Sequence, residues 1–375
     1  MPAAMKLHHY LIVKHWKKGQ ALIGPDPGIR FNYRIGRFVK SYLRGLSWRD
    51  DYYFVQGQSY WILANWRLLA LTGQDTYRDI AVRCSEYMLT RQRDDGAWVF
   101  PHVEWKGRVT TVEGTWGSLA LLETYRQTGD RRFLRAILRW YEFLIETIGF
   151  QRSGDELIVN YFANFGAAQV PNNSALALRF LAELADVTAD AAYLRHGAGL
   201  LTFLRRVQMP TGELPYRVDG VSRQGPRPHY QCFQYNAFEC LDLMRYYEAT
   251  GDADVLPIIA GVLDFLRGGM AADGHALYQC GHSRHHAVMY HTAVLAAAFA
   301  KAGHVGVDGY DDLARRSYSY LLGAQRRDGG FAHSRREYHV LSDQRPYPRY
   351  TSMILYFLLE PLCAGEYSRT GRKAG

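Results

Sequence analysis

The chain has 375 residues, enough for one large domain or two ordinary ones. Its 45 Lys and Arg against 36 Asp and Glu leave a charge of +9 with His neutral. The basic residues are dispersed rather than gathered into a nucleic-acid-binding tail, and no apolar run is long enough to span a bilayer, so no nucleic-acid partner is expected and a cytoplasmic protein is.

Cys84, Cys232, Cys240, Cys280 and Cys363 are odd in number and irregular in spacing, which argues against a disulfide framework and for a reducing compartment. The segment Met1 to Gln20 clusters Lys6, His8, His9, Lys14, His15, Lys17 and Lys18 about a short apolar patch. It lacks the hydrophobic core of a signal peptide. A weak contact between this segment and a membrane surface is one reading, and a solvated helix face is the simpler one. After the turn-rich Gly24-Pro25-Asp26-Pro27-Gly28, Ile35 to Leu46 reads as an amphipathic helix. Residues 1–34 are accordingly taken as a basic segment and loop, and residues 35–375 as one helical domain.

From Gln56 onward a cycle repeats about every 50 to 60 residues. A strongly apolar helix ends at a Thr-Gly-Asp-type stop, and a charged amphipathic helix follows almost at once. That helix ends in a Gln-x-x-x-Gly phrase, and a long loop returns. The stops are Thr72-Gly73-Gln74-Asp75, Thr128-Gly129-Asp130, Thr188-Ala189-Asp190 and Thr250-Gly251-Asp252. The phrases begin at Gln92, Gln208 and Gln325, with weaker versions at Gln151 and Met270.

The apolar set is Gln56–Thr72, Val112–Thr128, Pro171–Val187, Gln234–Thr250, His286–Ala302 and Tyr347–Cys363. The amphipathic set is Ile35–Leu46, Asp75–Gln92, Arg131–Gly149, Ala191–Gln208, Ala253–Gly269 and Tyr310–Gln325. Helices apolar nearly all round are buried, and those with one polar face lie outside. The pattern predicts an all-α protein, an α/α toroid of about six inner and six outer helices, with Ile35–Leu46 closing the outer ring. Long loops then join outer to inner helices, and every inner helix points its N-terminus, with its free N–H groups and positive dipole end, into one basin. Such a basin favours anionic ligands.

Gln92-Arg93-Asp94-Asp95-Gly96-Ala97-Trp98 resembles the Gln-x-x-x-Gly-x-Trp repeats of triterpene cyclases, and Gln325-Arg326-Arg327-Asp328-Gly329-Gly330-Phe331 is a looser copy, close also to the protein prenyltransferase β-subunit. The resemblance implies a toroid in which the phrase ties an outer helix to the next loop. The cyclases' catalytic Asp-x-Asp-Asp is absent, as is the prenyltransferases' zinc set. Gln56-Gly57-Gln58, Leu71-Thr72-Gly73 and Gln127-Thr128-Gly129-Asp130 resemble the repeats of sugar-handling toroids. These are the C-terminal domain of glucuronyl C5-epimerases, unsaturated-uronide hydrolases and polysaccharide lyases. This second resemblance implies saccharide chemistry and assigns no residue a role.

The candidate site lies on the long-loop side. Arg227-Pro228-His229-Tyr230 and Tyr235 offer a base and an acid for moving a proton beside a uronate carboxylate, with Arg227 to neutralise that carboxylate. The competing reading is an aromatic plug. Asn172 and Asn173 can hold a carboxylate in its acid form or cap a helix. Glu113 serves as general acid or base, or answers the dipole of its own helix. Glu104, Glu213 and Asp219 share its loop set. Arg284, His286 and Tyr290, near His282 and His291, fit substrate contacts better than a metal, since no His-Glu-x-x-His or Cys-x-x-Cys is present. Arg349 and Tyr350 complete a cluster suited to an anionic sugar. No phosphate-cradling Gly-rich loop appears, so neither cofactor nor metal is expected.

The leading expectation is an enzyme acting on an acidic, uronate-type saccharide by epimerisation, elimination or hydrolysis. The alternatives are an isoprenoid cyclase or prenyltransferase-like enzyme, and a non-catalytic glycan-binding toroid.

Overall fold

A computed structural model describes residues 1–28, 35–43, 45–46, 48, 50–101, 108–164, 169–218, 232–278, 287–337 and 340–363. Six helices form the inner ring: α3 (Val55–Thr72), α5 (Thr111–Thr128), α7 (Pro171–Thr188), α9 (Cys232–Thr250), α11 (Met289–Ala302) and α13 (Pro348–Leu359). Each packs on the next, and α13 packs back on α3, which closes the ring. Outside them lie α4 (Asp75–Thr90), α6 (Arg131–Phe143), α8 (Gly197–Val207), α10 (Leu256–Arg267) and α12 (Asp311–Ala324). The chain has the α/α-toroid fold.

The Thr-Gly-Asp stops reverse the chain by three local devices. The hydroxyls of Thr72, Thr128, Thr188 and Thr250 donate to the carbonyl four residues back, at 2.6–2.8 Å. The next residue is left-handed, with φ of 69° at Gly73, 70° at Gly129 and Gly251, and 54° at Ala189. Glycine enters that region without the Cβ penalty, which Ala189 accepts. Asp130, Asp190 and Asp252 then accept the N–H two residues on, at 2.8, 2.9 and 3.0 Å, and so cap the outgoing turn.

The Gln-x-x-x-Gly phrase ties each outer helix to the next outer helix rather than to a loop alone. Gln92 Nε2 donates to the carbonyls of Gly96 and, on α6, of Ala136, both at 2.8 Å. Gln208 does the same with Gly212 at 3.0 Å and with Ile258 of α10 at 2.9 Å. Gly96 and Gly212 have positive φ and lie so close to Arg139 and Gly261 of those helices that a Cβ would collide with their backbone carbonyls.

The third copy corrects the expected ring. Gln325 donates to Gly329 at 2.9 Å and to Ala3 at 2.8 Å, and Gly329 abuts the Lys6 carbonyl. Residues Pro2–His15 form a helix, α1, that holds the place of the outer helix following α12. Its buried face (Leu7, Tyr10, Leu11) joins the core, and His8 bonds Asn65 of α3 at 2.9 Å. Ile35–Leu46 therefore does not close the ring. Among the described residues of that span only Gly36–Tyr42 is helical (α2), and it packs on a small hairpin of the last long loop. The weaker copies also divide. Gly274 of the Met270 phrase abuts the Arg316 backbone, whereas Gln151 lies in a hairpin and donates to Asn160 Oδ1.

Short strands decorate the long loops. β1 (Trp16–Lys17) pairs with β2 (Ala21–Leu22), and β3 (Phe150–Ser153) with β4 (Glu156–Val159). β5 (Ala287–Val288), β6 (Ser334–Glu337) and β7 (Leu341–Asp343) form one antiparallel sheet. Inner helices all begin on this side, so their first turns share one basin.

The axis below the basin is filled. Tyr60, Trp116, Tyr356 and Phe357 pack across it in tilted and edge-on ring contacts, with the Tyr60 and Trp116 ring centroids 4.4 Å apart. Beneath them lies a buried charge network. Arg67 donates to Glu360 at 2.5 Å and to the Tyr356 carbonyl at 2.8 Å, and Arg179 meets Glu183 at 2.7 Å and Asp242 at 3.0 Å. Arg245 bridges Glu248 and Glu360, and Lys301 pairs with Glu248. The network answers its own burial. Burial pushes the Glu360 carboxyl up, but Arg67, Arg245 and Lys301 outweigh it and hold that carboxyl far below the usual range.

Candidate functional site at the inner-helix N-termini

Glu113 stands in the first turn of α5, yet its side chain serves the neighbouring helix. Its Oε2 accepts the N–H of Gln56, at the start of α3, at 3.0 Å. Burial pushes its carboxyl up to about 7, against the pull of the Arg349 charge and of that N–H, and Oε1 has no hydrogen-bond partner. Glu113 thus caps α3 while keeping one oxygen uncommitted. α5 is capped by Thr110, whose hydroxyl accepts the Glu113 N–H at 3.4 Å.

Arg349, in the first turn of α13, grips Asp26 with two parallel bonds of 2.7 and 2.8 Å. It lies over the Phe54 ring, 4.1 Å from its centroid, and its Nη2 donates to the Tyr350 hydroxyl at 2.7 Å. The Tyr350 and Tyr290 centroids are 4.2 Å apart, and their hydroxyls interact. The Tyr290 hydroxyl donates to Gln234 Oε1 at 3.3 Å. A polar chain thus runs from Asp26 through Arg349, Tyr350 and Tyr290 to Gln234, crossing from α13 to α11 to α9.

Tyr235 packs on Tyr216, with centroids 4.9 Å apart. Its hydroxyl is held well above the usual value by burial first, then by Tyr216, Tyr161, Tyr290 and Tyr350 around it. Five tyrosines from five chain segments therefore share one neighbourhood. One turn further into α9, Glu239 is buried with Oε2 unpartnered, and burial, reinforced by Asp242 and Glu213, pushes its carboxyl well above the ordinary carboxylate value.

His333 precedes β6. It stacks near Tyr290, 6.0 Å between centroids, and meets Tyr350 and Tyr347 at 5.2 and 5.1 Å. Burial holds its imidazole well below the ordinary value, helped by the charges of Arg37, His291 and Arg349, and its Nδ1 has no partner. It is a neutral imidazole at neutral pH, the form that accepts a proton.

Asn173 is fully buried in the first turn of α7, and neither its amide oxygen nor its nitrogen has a partner. The N-cap of α7 is Val170, without a side-chain cap, so the expected capping role falls to neither Asn172 nor Asn173. Asn172 is partly exposed beside it.

The structure thus brings Glu113, Tyr235, Tyr290, Arg349 and Tyr350 together, and sets Asn172 and Asn173 at the same level of the ring. Arg227, His229, Tyr230, Arg284 and His286 lie outside the described residues. Sequence reasoning overlooked Asp26, Tyr216 and His333. The abundance of tyrosine hinted at Tyr216, but no spacing links Asp26 to Arg349 or His333 to Tyr290. Among the described residues, no three His, Cys, Asp or Glu side chains are grouped to hold a metal.

No protein-family model matches this chain, and no curated protein sequence does. Solved structures do. A sugar epimerase from a ruminal bacterium superposes with a TM-score of 0.72 at 13% identity, covering 96% of this chain and 98% of that one. The GH76A α-1,6-mannanase from Salegentibacter sp. HEL1_6 gives 0.67 at 12% identity, with 96% and 98% covered. A polysaccharide lyase gives 0.67 at 10% identity, with 100% and 98% covered. At these identities the shared property is the α/α-toroid fold along nearly the whole chain.

Proposed function

We propose that this protein is a carbohydrate-active enzyme that binds a sugar ring against the basin tyrosines and acts by moving a proton. The observation that carries the reading is the set of buried polar groups at this end left without partners. Buried polar atoms are ordinarily satisfied, so such a set suits the polar groups of a ligand. Tyrosine suits a sugar because its ring stacks on the apolar face while its hydroxyl hydrogen-bonds. Neutral His333 is a base and the Tyr290 hydroxyl an acid for abstraction and return of a proton at a carbon beside a carbonyl or carboxylate. Glu239, whose carboxyl burial pushes well up, and the half-committed Glu113 are the acids for a leaving oxygen. Structural neighbours that are epimerase, hydrolase and lyase by name support the class without choosing the reaction.

The acidic-sugar reading rests on the inner-helix dipoles and the chain's +9 charge. A neutral sugar is the second reading, favoured because Arg37, Arg345 and Arg349 at the rim already hold Glu337, Asp50 and Asp26. An isoprenoid cation is poorly served by a basin holding Arg349. A reducing, cytoplasmic setting is the companion reading, resting on the odd number and irregular spacing of the cysteines.

Turnover of paired uronate and neutral oligosaccharides, followed by product stereochemistry and by absorbance of a new double bond, tests the reading. His333→Asn and Tyr290→Phe should each lower kcat by about a hundredfold or more at unchanged melting temperature. Full activity of both variants on every substrate processed would overturn the assignment.

A further inference from the structure

The displaced helix α2 leaves an apolar face outside the ring. Its inner side is committed: Phe38 is buried, Lys40 bonds Asp50 at 2.7 and 2.8 Å, and the Ser41 hydroxyl accepts the Gln344 N–H at 2.7 Å. The opposite side carries Ile35, Val39, Tyr42 and Leu43, spaced i, i+4, i+7 and i+8, the positions that share one helix face. With Leu46 just beyond, these side chains are between 40% and 69% exposed. Val340, at the tip of the β6–β7 hairpin, is 83% exposed, and the Ser342 N–H of that hairpin donates to the Tyr42 hydroxyl at 3.0 Å. Six of the twelve exposed large hydrophobic residues among those described thus gather in one place. Singly scattered apolar residues need no explanation, but a cluster marks a contact surface.

We infer that this face is a contact with an acidic lipid bilayer surface, which holds the basin mouth toward the membrane. No described helix is long and apolar enough to cross a membrane, so the contact is peripheral. Charge selects the occupant. Outer helices end on the basin side, so α1 and the β1–β2 hairpin present exposed Lys14, Lys17 and Lys18 there, and β6 presents exposed Arg335 and Arg336. In a two-fold contact between copies, each patch meets its own image, and these cations would face one another. An acidic bilayer receives both the apolar side chains and the cations, and Tyr42 is a residue type enriched at such interfaces. The inference is independent of the sugar chemistry proposed above.

Flotation of the whole protein with vesicles of phosphatidylcholine, with and without phosphatidylglycerol, tests it. The wild type should float with the acidic vesicles only, and less so as salt is raised. V39D/L43D should lose about tenfold or more of the bound fraction. Lys17→Glu with Lys18→Glu should weaken binding and flatten its salt dependence. Leu46→Asp, outside the helix, repeats the test should V39D/L43D melt early by circular dichroism. Turnover of a soluble substrate should be unchanged in all of these variants. The inference is overturned by three results: no flotation of the wild type, equal flotation of the aspartate variants, or a dimer in sedimentation that V39D/L43D converts to monomer.

Discussion

The two ends of the toroid axis treat buried polarity in opposite ways. At the short-loop end, Arg67, Arg179, Arg245 and Lys301 face Glu183, Asp242, Glu248 and Glu360, and each carries at least one ion pair. At the long-loop end, Glu113 Oε1, Thr115 Oγ1, the Asn173 amide, Glu239 Oε2 and His333 Nδ1 have no hydrogen-bond partner. The same six helices line both ends, so helix content does not separate them. The difference sets a floor whose buried charges are compensated apart from the end at which the proposed sugar would bind. Burying charge requires close compensation, and the floor has it. Leaving a polar group unpaired lowers stability, and the basin tolerates that cost in five side chains.

The comparison is sharpest where a partner is removed from the floor. Arg67→Met strips Glu360 of its closest partner and should lower unfolding free energy by roughly 3–5 kcal/mol, read by urea titration. A loss below about 1 kcal/mol, the range of exposed pairs, would mean that the network is solvated and that the two ends do not differ.

Titration separates the ends next. The Glu113 carboxyl is raised to about 7 in the folded protein from an ordinary 4.5. The folded state therefore holds this proton more tightly, and the stability it contributes is present at low pH and lost as pH rises from about 4.5 to 7. Glu113→Gln removes that loss. The variant should gain on the wild type through this window, with a slope of at most about 1.4 kcal/mol per pH unit. His333 acts in the opposite sense. Its folded value is depressed, so the unfolded chain binds the extra proton and stability falls as pH drops below the ordinary 6.5. His333→Asn should flatten the acid side of the profile. Parallel profiles for variant and wild type would show that these groups are better solvated than their burial implies.

The smallest effect on stability is expected at Asn173. Replacing an unpartnered buried amide by an apolar group of similar shape removes a desolvation penalty and no bond. Asn173→Leu should melt within about 1 kcal/mol of the wild type, or above it, while turnover falls. A large destabilisation would mean that ordered water satisfies the amide and that the basin is as complete as the floor.

The repeat was legible because it is made of local chemistry. Thr128, Gly129 and Asp130 act within a few residues of one another, and each device follows from residue type and spacing. Gln92 and Gly96 were legible as a phrase, but their partner Ala136 lies on the next outer helix and no spacing announces it. The misplacement of the closing helix has the same origin. Ile35–Leu46 and Pro2–His15 are both amphipathic, and the choice between them is made by whichever backbone meets Gln325 and Gly329. The candidate site was legible in residue type at Glu113, Tyr235, Tyr290, Arg349 and Tyr350. It was not legible in commitment: Arg349 already holds Asp26, and Glu113 caps a neighbouring helix.

The sequence by itself determined the alternation of apolar and charged helices, the places where the chain reverses, and the side of the ring to which the polar aromatic residues belong, because these depend on periodicity and on turns closed within a few residues. Tertiary structure alone decided which helix closes the ring, which charges neutralise one another in the floor, and which polar atoms at the inner-helix N-termini are left without partners. Those outcomes depend on distances between residues far apart in the chain, and only the closed ring sets such distances.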